Sequence, residues 1–322
     1  MKFLLVLLFS FGISLHGVEV MLPLPKVIEY NKQKALLGKK LYFDTLLSKN
    51  NTISCASCHN LELGGTDNLP LSFGINGQVG NINTPTVLNA VFNFRQMWDG
   101  RGESLSHQVQ FPITNPKEMG NSFENLIENL KKNKNYNTLF NNLYENGITK
   151  DNIGDALQEF QKTLITPSAF DRYLMGDKEA LNSDQKKGYE LFYQKGCTSC
   201  HNGINIGGGL YARFGLIDPS VIEDLIHNSQ NNSDTNSSFT IDLNLGFYNV
   251  TKNDYDKFYF KVPTLRNVAL TSPYLHNGSI KTLKEAIELI AKAQLGIELK
   301  KEELFYIEEF LKSLSGEVKI IK

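Results

Sequence analysis

Apolar residues recur at helical spacing in short blocks, and the stretches between them hold too much Gly, Pro and Asn for regular structure. Over 32–43, Leu36, Leu37, Leu41 and Tyr42 fall on one face and predict a helix. Further helices are expected over 104–109, 121–132, 135–144, 149–165, 181–195, 283–292 and 301–314. The one at 149 opens with good capping chemistry in TKDNIGDAL. The intervening segments read as loops and turns. The longest run from 61 to 86 and from 202 to 215, and 227–240 (HNSQNNSDTNSSFT) is polar and low in complexity. PITNPKEMG reads as a Pro-rich turn, TPSAFDRYLMGD as a boundary and the final EVKIIK as a tail. Helical signals dominate, and the expected class is all-α.

The residues that change this picture are CASCH at Cys55–His59 and CTSCH at Cys197–His201. In each, two thiols one helical turn apart can add to the two vinyl groups of a haem, with the adjacent histidine set against the iron. The four cysteines of the chain are thereby used in full. A single tetrahedral zinc site built from the same thiols is the alternative. Each motif follows a predicted helix and precedes a glycine-rich loop and more helices, so the chain reads as a repeat of two tandem haem domains. The expected boundaries are 18–175 and 176–322.

Before residue 18, Met1 and Lys2 lead into an apolar run from Phe3 to Leu15. That is short for a bilayer span and placed where a secretory signal belongs, with Ser14 and Gly17 as cleavage positions. An uncleaved anchor is the alternative reading. Export agrees with covalent haem attachment, which takes place outside the inner membrane, so a periplasmic location is expected. With 33 basic and 34 acidic residues the net charge is −1, which excludes an ordinary nucleic-acid footprint.

The ordered set CxxCH, GGTDNLP, NxPT, WDGR, PxEM, FDRYL, CxxCH, VPTLRNVALTSPYLHNG and AQLG resembles the bacterial di-haem cytochrome c peroxidases over nearly the whole mature chain. The resemblance implies two cytochrome c-like α domains carrying two covalently bound haem c groups. The first would reduce hydrogen peroxide. The second would receive electrons from a small c-type cytochrome or a cupredoxin. A homodimer is left open.

On this resemblance His59 is the proximal ligand of the peroxidatic haem and His201 that of the electron-transfer haem. Glu118 matches the distal acid/base, whose work is to carry a proton from one peroxide oxygen to the other. For Glu118 by itself the alternative is a surface charge in a turn. Trp98, the single tryptophan, matches a residue between the haems; core packing is its alternative. A calcium ion between the domains would lie at Asn83, Thr271 and Pro273.

Two positions depart from the family pattern. A histidine that binds the peroxidatic iron in many resting members is replaced by Ile75, which implies an open or water-filled sixth position and no need for reductive activation. The methionine expected at the second haem is replaced by Ile290, and its loss lowers the expected potential. Of the other methionines, Met175 lies at the boundary and Met97 and Met119 lie by the first haem. His276 is near this site, with packing or hydrogen bonding as one reading and iron ligation as the other. His107 is expected to meet solvent or a satisfied hydrogen bond, and His227 to be solvated. Two further functions stay open at this stage. One is oxidation of a protein substrate, as in the related di-haem enzyme of methylamine dehydrogenase maturation, and the other is a non-catalytic di-haem electron carrier.

Overall fold

Asn31 ends an extended segment and accepts the backbone N–H of Lys34, starting helix α1 at Lys32–Phe43. The computed structural model describes residues 20–222 and 245–322; the expected signal segment and His227 lie outside them. After α1 come α2 (Cys55–Cys58), α3 (Leu105–Gln108), α4 (Gln110–Thr114), α5 (Phe123–Lys132), α6 (Lys134–Leu143) and α7 (Lys150–Lys162). Then follow α8 (Ala169–Leu174), α9 (Ser183–Gln194), α10 (Leu283–Ile290) and α11 (Lys301–Lys312). Side chains of Ser122, Thr149, Asn182 and Thr282 cap the helices that follow them, which is why these helices begin within two residues of the positions read from sequence.

Two helix pairs organise two cores. α1 crosses α7 so closely that a Cβ on Gly38 would lie 1.8 Å from the Ala156 carbonyl oxygen. α9 crosses α11 in the same way, with a Cβ on Gly188 1.8 Å from the Tyr306 oxygen. Only glycine allows such an approach. Beside each crossing an aromatic pair fills the space: Tyr42 against Phe160 at 5.1 Å, and Phe192 against Phe310 at 5.3 Å. Around the first pair lie Leu41, Leu126, Tyr136, Phe140 and Ile153, and around the second Phe170, Leu181, Ile307 and Leu314.

Polar side chains join the cores. Asn89 and Asn267 both adopt the left-handed region (φ +58° and +62°), and both donate to Thr166 Oγ1, at 2.8 and 2.7 Å. Arg266 and Asp171, fully buried, form an ion pair at 2.9 Å. Arg266 also donates to the carbonyls of Leu22 and Ile204, while Asp171 accepts from the Leu24 N–H. All of these groups are paired, as buried polar groups must be.

Four features differ from the sequence reading. The fold is helix-rich but not all-α: β1 (Tyr211–Arg213) pairs antiparallel with β2 (Tyr259–Lys261), Tyr211 opposite Lys261. Three residues are too few to display a period of two. The segment read as a Pro-rich turn begins as α4, because Pro112 sits in its first turn, where no backbone N–H is needed. FDRYL, read as a boundary, is helical and buries Phe170 and Asp171. The final tail is not loose: Val318 and Ile321 pack on the first core, and Lys39 Nζ donates to the Ile321 carbonyl at 2.7 Å. Met21, at the other end, packs in the second core, so each end of the described chain crosses to the opposite core.

Candidate functional site

Ser54 and Ser57 form a capping box that starts α2, and the His59 N–H donates back to the Cys55 carbonyl at 2.9 Å. This short turn sets Cys55, Cys58 and His59 beside α1, whose Tyr42 hydroxyl donates to the His59 carbonyl. His59 Nδ1 faces the Gly65 carbonyl at 3.2 Å, which leaves Nε2 free to meet a metal. Burial lowers the imidazole pKa and keeps the ring neutral, the form that binds iron. Burial also pushes the Cys55 thiol up to about 12 and Cys58 to about 11.

Glu118 lies across from this turn. Its carbonyl accepts the Ile75 N–H at 2.8 Å, and its Oε1 accepts from Asn115 Nδ2 at 2.7 Å. Burial raises its pKa, while the Asn115 amide and the Arg101 guanidinium act in the opposite direction. Its charge, like that of Asp67, acts to raise the Cys58 thiol pKa, with burial the main cause. Arg101 is held at 2.6 Å by the buried Asp99. Ile75 is buried, and its Cδ1 reaches to 2.4 Å from where a Cβ on Gly120 would stand. The site therefore combines a half-buried carboxylate with the buried aliphatic side chain of Ile75.

The second motif lacks a full helical turn: Gly196, at φ +86°, starts a single 3-10 turn over Cys197–Ser199. His201 Nδ1 is buried without a hydrogen-bond partner in good geometry, and the carbonyls of Ile206 and Pro263 lie nearest to it. Burial takes this imidazole down to about 4. A Cβ on Gly207 would meet the Pro263 oxygen at 2.2 Å and His201 Nδ1 at 3.2 Å. Cys197, Cys200 and His201 open onto a cleft of about 270 Å³, whose far wall includes Ile290, Ala291 and Leu295. A mostly apolar cleft with two thiols and a neutral imidazole on one wall fits a haem. Among the described residues no three Cys, His, Asp or Glu side chains converge to hold a metal ion, so the four thiols do not assemble one zinc site.

The same cleft brings together most of the remaining predicted residues. Trp98, His276, Asn83, Thr271 and Pro273 all line it. Trp98 Nε1 donates to the Asn83 carbonyl at 2.9 Å, and its ring lies 6.4 Å from that of His276. His276 stacks on Phe260 at 4.3 Å, and burial lowers its pKa to about 4. Met97 lines this cleft too, whereas Met119 is buried in the first core and Met175 is exposed. His107 lies apart, its Nδ1 accepting from the Glu103 N–H and its ring against Phe111.

Sequence reading missed the supporting shell. Gly65 and Gly207 follow the two histidines at the same spacing, and the NTPTVLN and KVPTLRN segments repeat one another. Aligning the two halves would have revealed these pairs, including Pro85 and Pro263, whose carbonyls face His59 and His201.

The fold and the paired motifs define a helix-rich protein with two CxxCH sites, the second opening onto a cleft that Trp98 also lines, and its relatives narrow this class. A family model described as "Di-haem cytochrome c peroxidase" matches residues 32–179. The chain is 42% identical over 301 residues to a cytochrome c551 peroxidase of Nitrosomonas europaea, covering 93% of this chain and 85% of that protein. It is 44% identical over 303 residues to a cytochrome c peroxidase of Escherichia coli, covering 94% of this chain but only 62% of that longer protein. In fold it is similar to the crystal structure of a MauG-like protein associated with microbial copper homeostasis, with a TM-score of 0.75, 24% identity and 96% of each chain covered. The chain belongs to the di-haem cytochrome c peroxidase family. It is thus an oxidoreductase of the peroxidase type, and membership implies haem c as its cofactor.

Proposed function

We propose that the protein is a periplasmic di-haem peroxidase that reduces hydrogen peroxide to water with electrons from a small c-type cytochrome or a cupredoxin. Cys55 and Cys58 hold the first haem covalently and Cys197 and Cys200 the second, with His59 and His201 as proximal ligands. The haems supply the electrons that cleave the O–O bond. Electrons would enter at the second haem and pass to the first with Trp98 as the relay, its indole held by the Asn83 carbonyl and its own carbonyl by the Lys261 N–H.

At the first haem, Glu118 binds peroxide as a hydrogen-bond acceptor, takes the proton from one oxygen and returns it to the departing oxygen. Asn115 orients the carboxylate and keeps its charged form accessible despite burial. Ile75 offers no ligand, which would leave the sixth position open or water-filled, so the oxidised enzyme reacts without prior reduction. At the second haem, Ile290 likewise offers none. Calcium is held at the cleft by oxygens of Asn83, Thr271 and Pro273; the Asn83 Nδ2 is already committed to the carbonyls of Leu69 and Pro70, which leaves its Oδ1 to face a cation.

The observation that carries this reading is the half-buried Glu118 carboxylate, held by Asn115 and bonded through its own carbonyl to the Ile75 N–H, a group that an electron carrier would not need. Glu118→Gln tests it: peroxide turnover is expected to fall by about 10²–10⁴-fold with haem content unchanged. Turnover equal to wild type would remove Glu118 from the mechanism.

A further inference from the structure

Lys261 ends β2, is only 7% exposed and lines the cleft shared by Cys197 and His201. A buried lysine without a counterion is costly and uncommon. No ion pair or hydrogen bond is made by its Nζ among the described residues, and burial alone pushes its pKa down to about 8. The other lysine on the cleft, Lys195, is committed to Glu303 at 2.7 Å, and among the described residues no acidic side chain lines the cleft.

The direction of this side chain follows from the strand. Successive residues of a strand point to opposite faces. Phe260 stacks on His276 and packs with Ile290 and Ala293, so Lys261 leaves on the other face. There it pairs across the sheet with Tyr211, whose hydroxyl reaches the Gly100 carbonyl. Its own N–H donates to the Trp98 carbonyl at 2.9 Å. Lys261 thus lies against Trp98 through its backbone while it lines the cleft.

A haem carries two carboxylates on one edge. We propose that Lys261 is the charge partner of a propionate of the second haem, fixing that edge of the porphyrin beside Trp98 and holding its reduction potential up. The positive charge favours the ferrous state, which has one positive charge fewer than the ferric. It offsets part of the potential lost where Ile290 replaces a thioether. Lys261 is a positioning residue, and the assignment rests on haem occupying the Cys197–His201 site.

The test is spectroelectrochemical titration of the second haem in holoprotein carrying Lys261→Met or Lys261→Arg, with a haemochrome count of two haems per chain establishing separately that the site is loaded. Lys261→Met is expected to lower the midpoint by a factor of about ten in the redox equilibrium, about 59 mV for one electron, and Lys261→Arg to keep it near wild type. An unchanged midpoint in Lys261→Met overturns the proposal. So does conversion of the second haem from low to high spin, which would make Lys261 an axial ligand. Should Lys261→Met fail to load haem, a crystal structure of the wild-type holoprotein decides: Nζ within about 4 Å of a propionate oxygen upholds the pairing, and Nζ directed elsewhere rejects it.

Discussion

Replacing Asn115 by alanine removes the amide that donates to Glu118 Oε1 at 2.7 Å. Burial raises the Glu118 pKa, and this hydrogen bond is the larger of two influences that lower it, the Arg101 charge being the other. Its loss therefore raises the pKa further. The working form is the carboxylate, so peroxide turnover is present above the pKa and lost as pH falls through it. A hydrogen bond to a charged group is worth about 1.5–3 kcal/mol, and 1.36 kcal/mol is a factor of ten in a protonation equilibrium. On the acid side of the profile, Asn115→Ala is expected to be slower than wild type by about tenfold to a hundredfold, the two converging at alkaline pH. Asn115 Oδ1 also accepts the Lys117 N–H at 3.0 Å, and Asn115→Asp keeps that acceptor. Because it places a second negative charge beside Glu118, it should move the acid limb the same way, whereas a simple loss of turn structure would not. The assay is kcat/KM for peroxide against pH, and an acid limb that stays in place in both variants would refute the reasoning.

Two further expectations concern the fold. Asp171→Ala leaves the Arg266 guanidinium buried without its carboxylate and should destabilise the holoprotein by about 3–5 kcal/mol in denaturant titration; a loss below about 1 kcal/mol would show that the ion pair is not what joins the cores there. Gly188→Ala should cost about 1–3 kcal/mol or more, because its Cβ would lie 1.8 Å from the Tyr306 oxygen. Alanine normally improves a helix, so a gain in stability would contradict the close crossing. Gly209→Ala, with nothing within 4 Å, is the control and should change stability by no more than about 0.5 kcal/mol.

The helices were legible because their apolar positions recur at a fixed period and their caps are local. The haem motifs were legible because the chemistry demands two thiols and a histidine at one spacing. Glu118 and Ile75 could be marked only through resemblance to a family; their placement together depends on the Ile75 N–H meeting the Glu118 carbonyl, a tertiary contact with no local signature. The strand pair at Tyr211 and Lys261 escaped for the same reason, and with it the buried lysine. The chain ends escaped because Val318 and Met21 are apolar residues without a periodic neighbourhood, and only the opposite core explains their burial.

The most direct test is to mix the fully oxidised wild-type protein with hydrogen peroxide in a stopped-flow spectrometer and follow the haem absorbance. With Glu118 in place and Ile75 offering no ligand, the first haem is expected to react at once, without prior reduction. Absence of reaction in both the oxidised and the half-reduced protein would contradict a peroxidatic first haem.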